Sequence, residues 1–186
     1  MKHYPVLSGF HRDCGFVLPE NPMFSISGNQ GGCNSGVSHF TADFFCIMLY
    51  PPQEIWVPRS TSGGEAPSGT LAFFKPGEVV TTSAFSSGKD GWQLLMHREF
   101  LDDVPLQEEL DRYNCFGHPG EPLLKLRRDE EKLFRDLLQR IESEYLNQDE
   151  HSKAIIIAAL SSLLKYMERF CKRQRMEQPE NTRATK

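Results

Sequence analysis

Six histidines, His3, His11, His39, His97, His118 and His151, are the side chains best suited to hold a metal or move a proton near neutral pH. A catalytic cation in a β-barrel mouth needs three or four converging nitrogen and oxygen ligands, and sequences that supply them space their histidines closely. No pair here has H-x-H, H-x-x-E-H or H-E-x-x-H spacing, so no metal is expected. The run HREFLDD gathers His97, Glu99 and Asp102, a set that could relay a proton. No nucleophile or oxyanion donor adjoins it in sequence, and it reads as a surface turn opening a short helix. His39, ahead of an apolar run, reads as a strand-end residue. There is no G-x-S-x-G, no Walker loop and no dinucleotide fingerprint, and Gly28-Asn29-Gln30-Gly31-Gly32 lacks the helix and lysine that a phosphate cradle requires. The chain is read as carrying no catalytic set and no cofactor, and as not being an enzyme.

Binding is the other chemistry the residues allow. The only two tryptophans, Trp56 and Trp92, fall in or beside predicted strands with Phe44, Phe74 and Leu94. Large aromatics in a small barrel stack on flat ligands or on the apolar face of a sugar, and they equally serve as plain core. Phe44, Met48, Trp56, Phe74, Trp92 and Leu94 are the candidate ligand-binding residues. Strand alternation does not by itself say which of them point inward.

These residues need a frame. A chain of 186 residues with 39% hydrophobic and 25% charged residues can bury one substantial core. A formal net charge of -4 argues against a chain whose task is to hold polyanions, since phosphate binding rests on accumulated lysine and arginine. The N-terminus lacks the apolar core of a signal peptide, and no apolar run approaches the ~20 residues that span a bilayer. Cys14, Cys33, Cys46, Cys115 and Cys171 are scattered, odd in number and free of C-x-x-C pairs. Reduced thiols in a cytoplasm are expected, with no disulfide framework.

Up to about Leu126 the sequence reads as β, because short apolar stretches are broken repeatedly by Gly, Pro, Asn and Ser. Strands are predicted over Met23–Ile26, Phe40–Tyr50, Ile55–Pro58, Thr70–Phe74, Val79–Phe85, Trp92–His97 and Pro122–Leu126. The Phe40–Tyr50 run is apolar on both faces after Asp43 and should be central. Such closely spaced strands point to a sandwich or barrel. Gly28–Gly36 and Arg59–Gly69 read as loops.

Two amphipathic helices follow. In the first, Asp129 to Leu146, Phe134, Leu137, Leu138, Ile141 and Tyr145 form one stripe at the 3.6-residue period. The second starts near Asp149 or Ser152, either of which can cap it, and runs to about Arg175. Ile156, Leu160, Leu163, Leu164, Met167 and Cys171 make its main apolar stripe, and Ile155, Ala159, Ser162 and Tyr166 a smaller one beside it. The smaller stripe is either core or the contact with a second copy of the chain across a two-fold axis.

The blocks GTLAFFKPGEVV, GWQLLMHREFL, PLLKL leading into DEEKLF, IESEY, and HSKAIIIAALSSLLKYMERFCKRQ, in this order, resemble the N-terminal domain of AraC-type transcriptional regulators. The similarity covers roughly His39 to Gln174. The resemblance implies an α+β fold: a cupin-like, jelly-roll type antiparallel β-barrel over residues 1–127 that senses an effector, then a helical dimerisation segment over 128–176. Lys75-Pro76-Gly77-Glu78 would be a turn between late barrel strands, and the tail 177–186 resembles an interdomain linker. The family's helix-turn-helix domain needs on the order of a hundred further residues, so the chain reads as an excised sensor domain. Expected partners are a small-molecule effector, of which a sugar is one candidate, and a second copy of the chain. DNA would be reached only through a domain outside this sequence, and no membrane is expected. The alternative from the residues alone is a stand-alone cupin enzyme, an isomerase or dioxygenase, or a small-molecule-binding protein.

Overall fold

A computed structural model describes residues 1–28, 39–51, 68–81, 90–102, 104–112 and 123–177. The described elements are β1 (Lys2–Tyr4), α1 (Leu7–Cys14), β2 (Phe24–Gly28), β3 (His39–Ala42), β4 (Phe44–Tyr50), β5 (Gly69–Phe74), β6 (Val80–Thr81), β7 (Trp92–His97), a 3-10 turn (Arg98–Leu101), α2 (Leu106–Arg112), β8 (Leu123–Leu126), α3 (Arg128–Asn147) and α4 (Ser152–Glu177). The molecule is α+β. Its main sheet has five antiparallel strands in the order β2-β7-β4-β5-β8, and a second sheet has three in the order β1-β3-β6. The described strands form these two open sheets, not the closed barrel expected from the sequence.

The central strand explains the arrangement. Every residue of β4 is buried, because its alternate side chains enter two separate cores. Phe45, Ile47 and Leu49 join the core formed with α3 and α4, while Phe44, Cys46, Met48 and Tyr50 face the small sheet and α1. A run apolar on both faces is what such a position requires.

The predicted strand from Phe40 to Tyr50 is in fact two strands that belong to different sheets. At Asp43 the chain bends, the Asp43 amide donates to the Tyr4 carbonyl at 3.1 Å, and β3 pairs with β1 instead of continuing in the large sheet. A strand that changes sheets at a bend is how the corners of layered β structures are made. The polar Asp43 is tolerated because its carboxylate stays at the surface, 3.3 Å from the His3 imidazole.

One helix, α1, was not expected in the predicted β region, and the short helix that HREFLDD was read as opening forms as α2. In α1, Leu7, Phe10, His11 and Cys14 are buried at i, i+3, i+4 and i+7, and Gly15 closes the helix at φ +76°. That stripe is legible in LSGFHRDC, but eight residues with an internal glycine also read as loop. In α2, Leu106 and Leu110 fill the core under α4. The turn at Lys75-Pro76-Gly77-Glu78 forms as expected between β5 and β6, with Gly77 at φ +83° and the Lys75 amide donating to the Glu78 carboxylate at 2.8 Å. REFL, directly after His97, is the 3-10 turn.

The two long helices match the periodic prediction to within two residues at each end, α4 starting at Ser152, one of the two positions expected. The Arg127 amide donates to the Glu130 carboxylate at 2.9 Å, which caps α3 in the absence of a serine. Asp149 caps α4: its Oδ1 accepts the His151 and Ser152 amides at 2.8 and 2.9 Å, and these bonds hold its carboxyl below the usual range.

The cysteines differ from expectation. Cys14, in the core toward the small sheet, and Cys171, in the core under the helices, each take part in a disulfide, whereas Cys46 is a buried free thiol. Cys33 and Cys115 lie outside the described residues, as do Trp56 and the predicted Ile55–Pro58 strand. Sequence spacing misleads here because a disulfide depends on which Cβ atoms the fold brings within about 4 Å, whatever their separation along the chain.

Candidate functional site

The face of the large sheet that looks toward the small sheet is set by period-two alternation. On β2 it carries Ser25 and Ser27, on β7 Gln93, Leu95 and His97, on β4 Phe44, Cys46, Met48 and Tyr50, and on β5 Ala72 and Phe74. Register places Ser27 opposite Gln93, Gln93 opposite Met48, and Met48 opposite Ala72. A polar pair therefore adjoins an apolar row.

Ser27 and Gln93 are each only 8% exposed. Neither Ser27 Oγ nor Gln93 Nε2 has a hydrogen-bond partner. A buried polar atom left unpaired costs about 1–3 kcal/mol, so native proteins keep few of them, and two on directly opposed residues call for a specific reason. Tyr50 is nearby on the same face. Its hydroxyl meets only the Met48 sulfur, a weak acceptor, at 3.0 Å, and burial pushes its acidity far below that of a free phenol. Cys46 is likewise kept as a thiol by burial, with a further push from the Glu78 carboxylate.

Ser25, the other serine on this face, is satisfied. His11 of α1, 2% exposed, reaches Ser25 across the interior. Its Nδ1 must donate, because the Val17 carbonyl it meets can only accept, so Nε2 accepts the Ser25 hydroxyl at 2.9 Å. That is the neutral imidazole, and desolvation lowers its pKa from the ordinary value of about 6.5. A folded-state pKa below the unfolded one means that the unfolded chain binds the proton more readily. Stability from this group is complete above about pH 6.5 and declines as pH falls toward the folded value. Urea unfolding between pH 7.5 and pH 5 is expected to show this fall, with a slope of up to about 1.4 kcal/mol per pH unit, and a shallower one in His11→Asn. Equal slopes in the two proteins would show that the imidazole is not buried neutral.

The six ligand-binding candidates do not share one face. Phe44, Met48 and Phe74 lie between the sheets, while Trp92 and Leu94 lie on the opposite face against the helices. The Trp92 indole covers Gly28 so closely that an added Cβ there would sit 2.7 Å from Cζ2. Trp56 lies outside the described residues. Sequence reasoning passed over Ser27, Gln93, Tyr50 and His11. Serine and glutamine inside runs otherwise suited to strands were the available signal, and only cross-strand register shows that two of them meet.

Of the four residues in the smaller α4 stripe, Ala159 is buried, Tyr166 half-buried, and Ile155 and Ser162 are exposed, Ile155 to 38%. Ser162 Oγ donates back to the Ala158 carbonyl at 3.1 Å. The main stripe, from Ile156 to Cys171, is buried throughout.

The helices hold both edges of the large sheet. On β2, the Gly28 amide, next to Ser27, donates to Glu142 of α3 at 3.0 Å. On β8, the Lys125 amide donates to Gln174 at 2.8 Å, and the Lys125 carbonyl accepts from Arg173 at 3.0 Å. These side chains occupy edge groups that would otherwise be free to pair with another strand.

A concavity of about 360 Å³ lies at the α3–α4 turn, with the Phe24 and Phe100 rings stacked at 4.6 Å and Lys153 Nζ 5.4 Å above Phe100. Its polar groups are largely engaged: Tyr145 Oη accepts the Glu20 amide at 2.9 Å, Gln148 bonds Glu20, and Asp149 caps α4. It is a structural junction. Among the described residues no group of three or more His, Cys, Asp or Glu side chains is arranged to hold a metal ion. None of their helices is long and apolar enough to cross a membrane.

No family model matches this chain, and a comparison with curated proteins gives no match.

Proposed function

We propose that the chain is an effector-sensing and dimerising module of an AraC-type transcriptional regulator, with a cupin-like β structure that takes its ligand between the two sheets. The observation that carries this reading is the buried, unpartnered Ser27–Gln93 pair, which lies one residue from the Gly28 amide held by α3. A ligand that bonds this pair would pull on β2, and Glu142 would pass that displacement to the helices. Its effect on them equals the difference in its affinity for the two helix arrangements.

The same reading assigns the exposed Ile155 and Ser162 to a contact with a second copy, and assigns DNA binding to a separate domain. The cytoplasmic location expected from reduced thiols loses that support, since the bonded Cys14 and Cys171 belong to an oxidising setting or to a redox-responsive protein.

Sedimentation at micromolar concentration is the direct test. The protein is expected to be a dimer, and the double variant Ile155→Lys, Ser162→Glu to dissociate at least tenfold more readily with an unchanged melting temperature. A compound that binds between the sheets is expected to shift the dimer equilibrium. Monomer alone at these concentrations, or binding with no effect on association, removes the regulatory reading.

A further inference from the structure

We infer that Ser27 and Gln93 form the recognition point for an uncharged hydrogen-bonding group, a carboxamide, carbonyl or hydroxyl, carried on a compact apolar body. This deepens the reading above and rests on its placement of a ligand between the sheets. The two side chains face each other across the β2–β7 pair and are both more than nine-tenths buried without a partner. Together they present a hydroxyl, which both donates and accepts, and an amide, which donates from nitrogen and accepts at oxygen. A carboxamide or an α-hydroxy carbonyl group matches that pair; a purely apolar ligand would leave it unsatisfied.

The surroundings exclude charge. Next in register come Met48 and Ala72, and Leu95 lies one pair along β7 on the same face, so an ion bound there would lose its hydration without gaining a counter-ion. Cys46 and Tyr50 are held protonated by burial, and the neutral His11 has both nitrogens engaged. His97 lies two rows away beside Phe44, with Nδ1 3.9 Å from Glu99. Lys125 stands on the edge strand opposite Thr70, and its backbone is tied to α4. The exposed Glu78 adds a negative field at Cys46, which disfavours anions further. Tyr50 can leave the weak Met48 acceptor for a carbonyl oxygen, giving the ligand a third bond.

Three isosteric probes separate the possibilities: benzamide, benzoate and benzamidinium. They share a planar apolar ring and differ in the charge of the polar end and in its donors and acceptors: benzamide both donates and accepts, benzoate only accepts and benzamidinium only donates. Titration of the full chain, followed by the Gly28 amide and Gln93 side-chain NMR signals, is expected to give saturable binding of benzamide, with the two ions at least thirtyfold weaker. Gln93→Met and Ser27→Ala, alone and together, are expected to weaken benzamide at least tenfold and to raise the melting temperature of the free protein, because each removes an unpaired buried polar atom. The rise in melting temperature also certifies that the variants fold. Equal binding of benzoate or benzamidinium, no benzamide binding, or unchanged affinity in the variants overturns the proposal, the last two results leaving the pair as a site for water alone. Benzamide binding that leaves the monomer–dimer equilibrium untouched keeps this assignment and removes the regulator reading instead.

Discussion

Replacing Glu130 with alanine is expected to cost about 3–5 kcal/mol of folding stability, among the larger effects of any single change in the chain. Glu130 is 5% exposed and accepts from Arg173 through both oxygens, Nε to Oε1 at 2.7 Å and Nη2 to Oε2 at 2.8 Å. The same carboxylate caps the first turn of α3 through the Arg127 amide, and Arg173 also holds the Lys125 carbonyl of β8. One side chain thus joins the start of α3, the end of α4 and an edge of the sheet. Its loss leaves the Arg173 guanidinium, whose side chain is 20% exposed, without its carboxylate partner on that side, held only by the Lys125 carbonyl and by Glu177 out at the surface. The paired replacement Glu130→Leu, Arg173→Met is expected to cost less than Glu130→Ala, because it removes both charges instead of stranding one. Denaturant midpoints for the three proteins decide it. A loss under about 1 kcal/mol for Glu130→Ala would mean that water reaches the pair and screens it.

Phe134→Ala is expected to destabilise by about 3–5 kcal/mol through cavity formation. The ring is fully buried, lies edge-on to Phe170 of α4 at 5.8 Å, and belongs to the core that α3, α4 and the outer face of the large sheet share. Close packing on both sides leaves little room for collapse into the space the ring vacates. The comparison is Ile155→Ala, on an exposed stretch of α4, where the free chain should change by about 0.5 kcal/mol or less. Thermal melts that rank these two changes equally would contradict the helix orientation described above.

The stability and binding tests bear on different faces of one sheet. Phe134 and Glu130 act on the helix side, Ser27 and Gln93 on the side of the small sheet. Changes on the helix side that alter ligand affinity would have to act through β2 and β8, whose edges are tied to the helices by Glu142, Arg173 and Gln174. Glu142→Gln, which keeps an acceptor for the Gly28 amide, provides the gentlest probe of that route.

Much of the secondary structure was legible because its signals are local. The stripes of α3 and α4 follow from the 3.6-residue period, and β5 and β7 from short apolar runs closed by turn residues. The turn at Gly77 follows from a residue type suited to positive φ. The strand break at Asp43 and the helical nature of Leu7–Cys14 carried weaker signals, a single polar residue in one case and three apolar residues with a histidine across eight positions in the other. The candidate site was hardly legible at all. Large aromatics attracted attention as ligand platforms, yet Trp92 packs toward the helices, and the residues that meet unsatisfied are a serine and a glutamine.

What the sequence determined by itself is the inventory: two amphipathic rods, a central strand apolar on both sides, and the absence of closely spaced metal-binding histidines. These depend on residue order within a few turns or a few strand positions. The tertiary structure alone decided that the strands form two open sheets, that Cys14 and Cys171 are each in a disulfide, and that Ser27 lies across from Gln93. Each of those depends on register and approach between segments tens of residues apart, and a shift of one residue along β2 would turn Ser27 to the helices and leave no polar pair between the sheets.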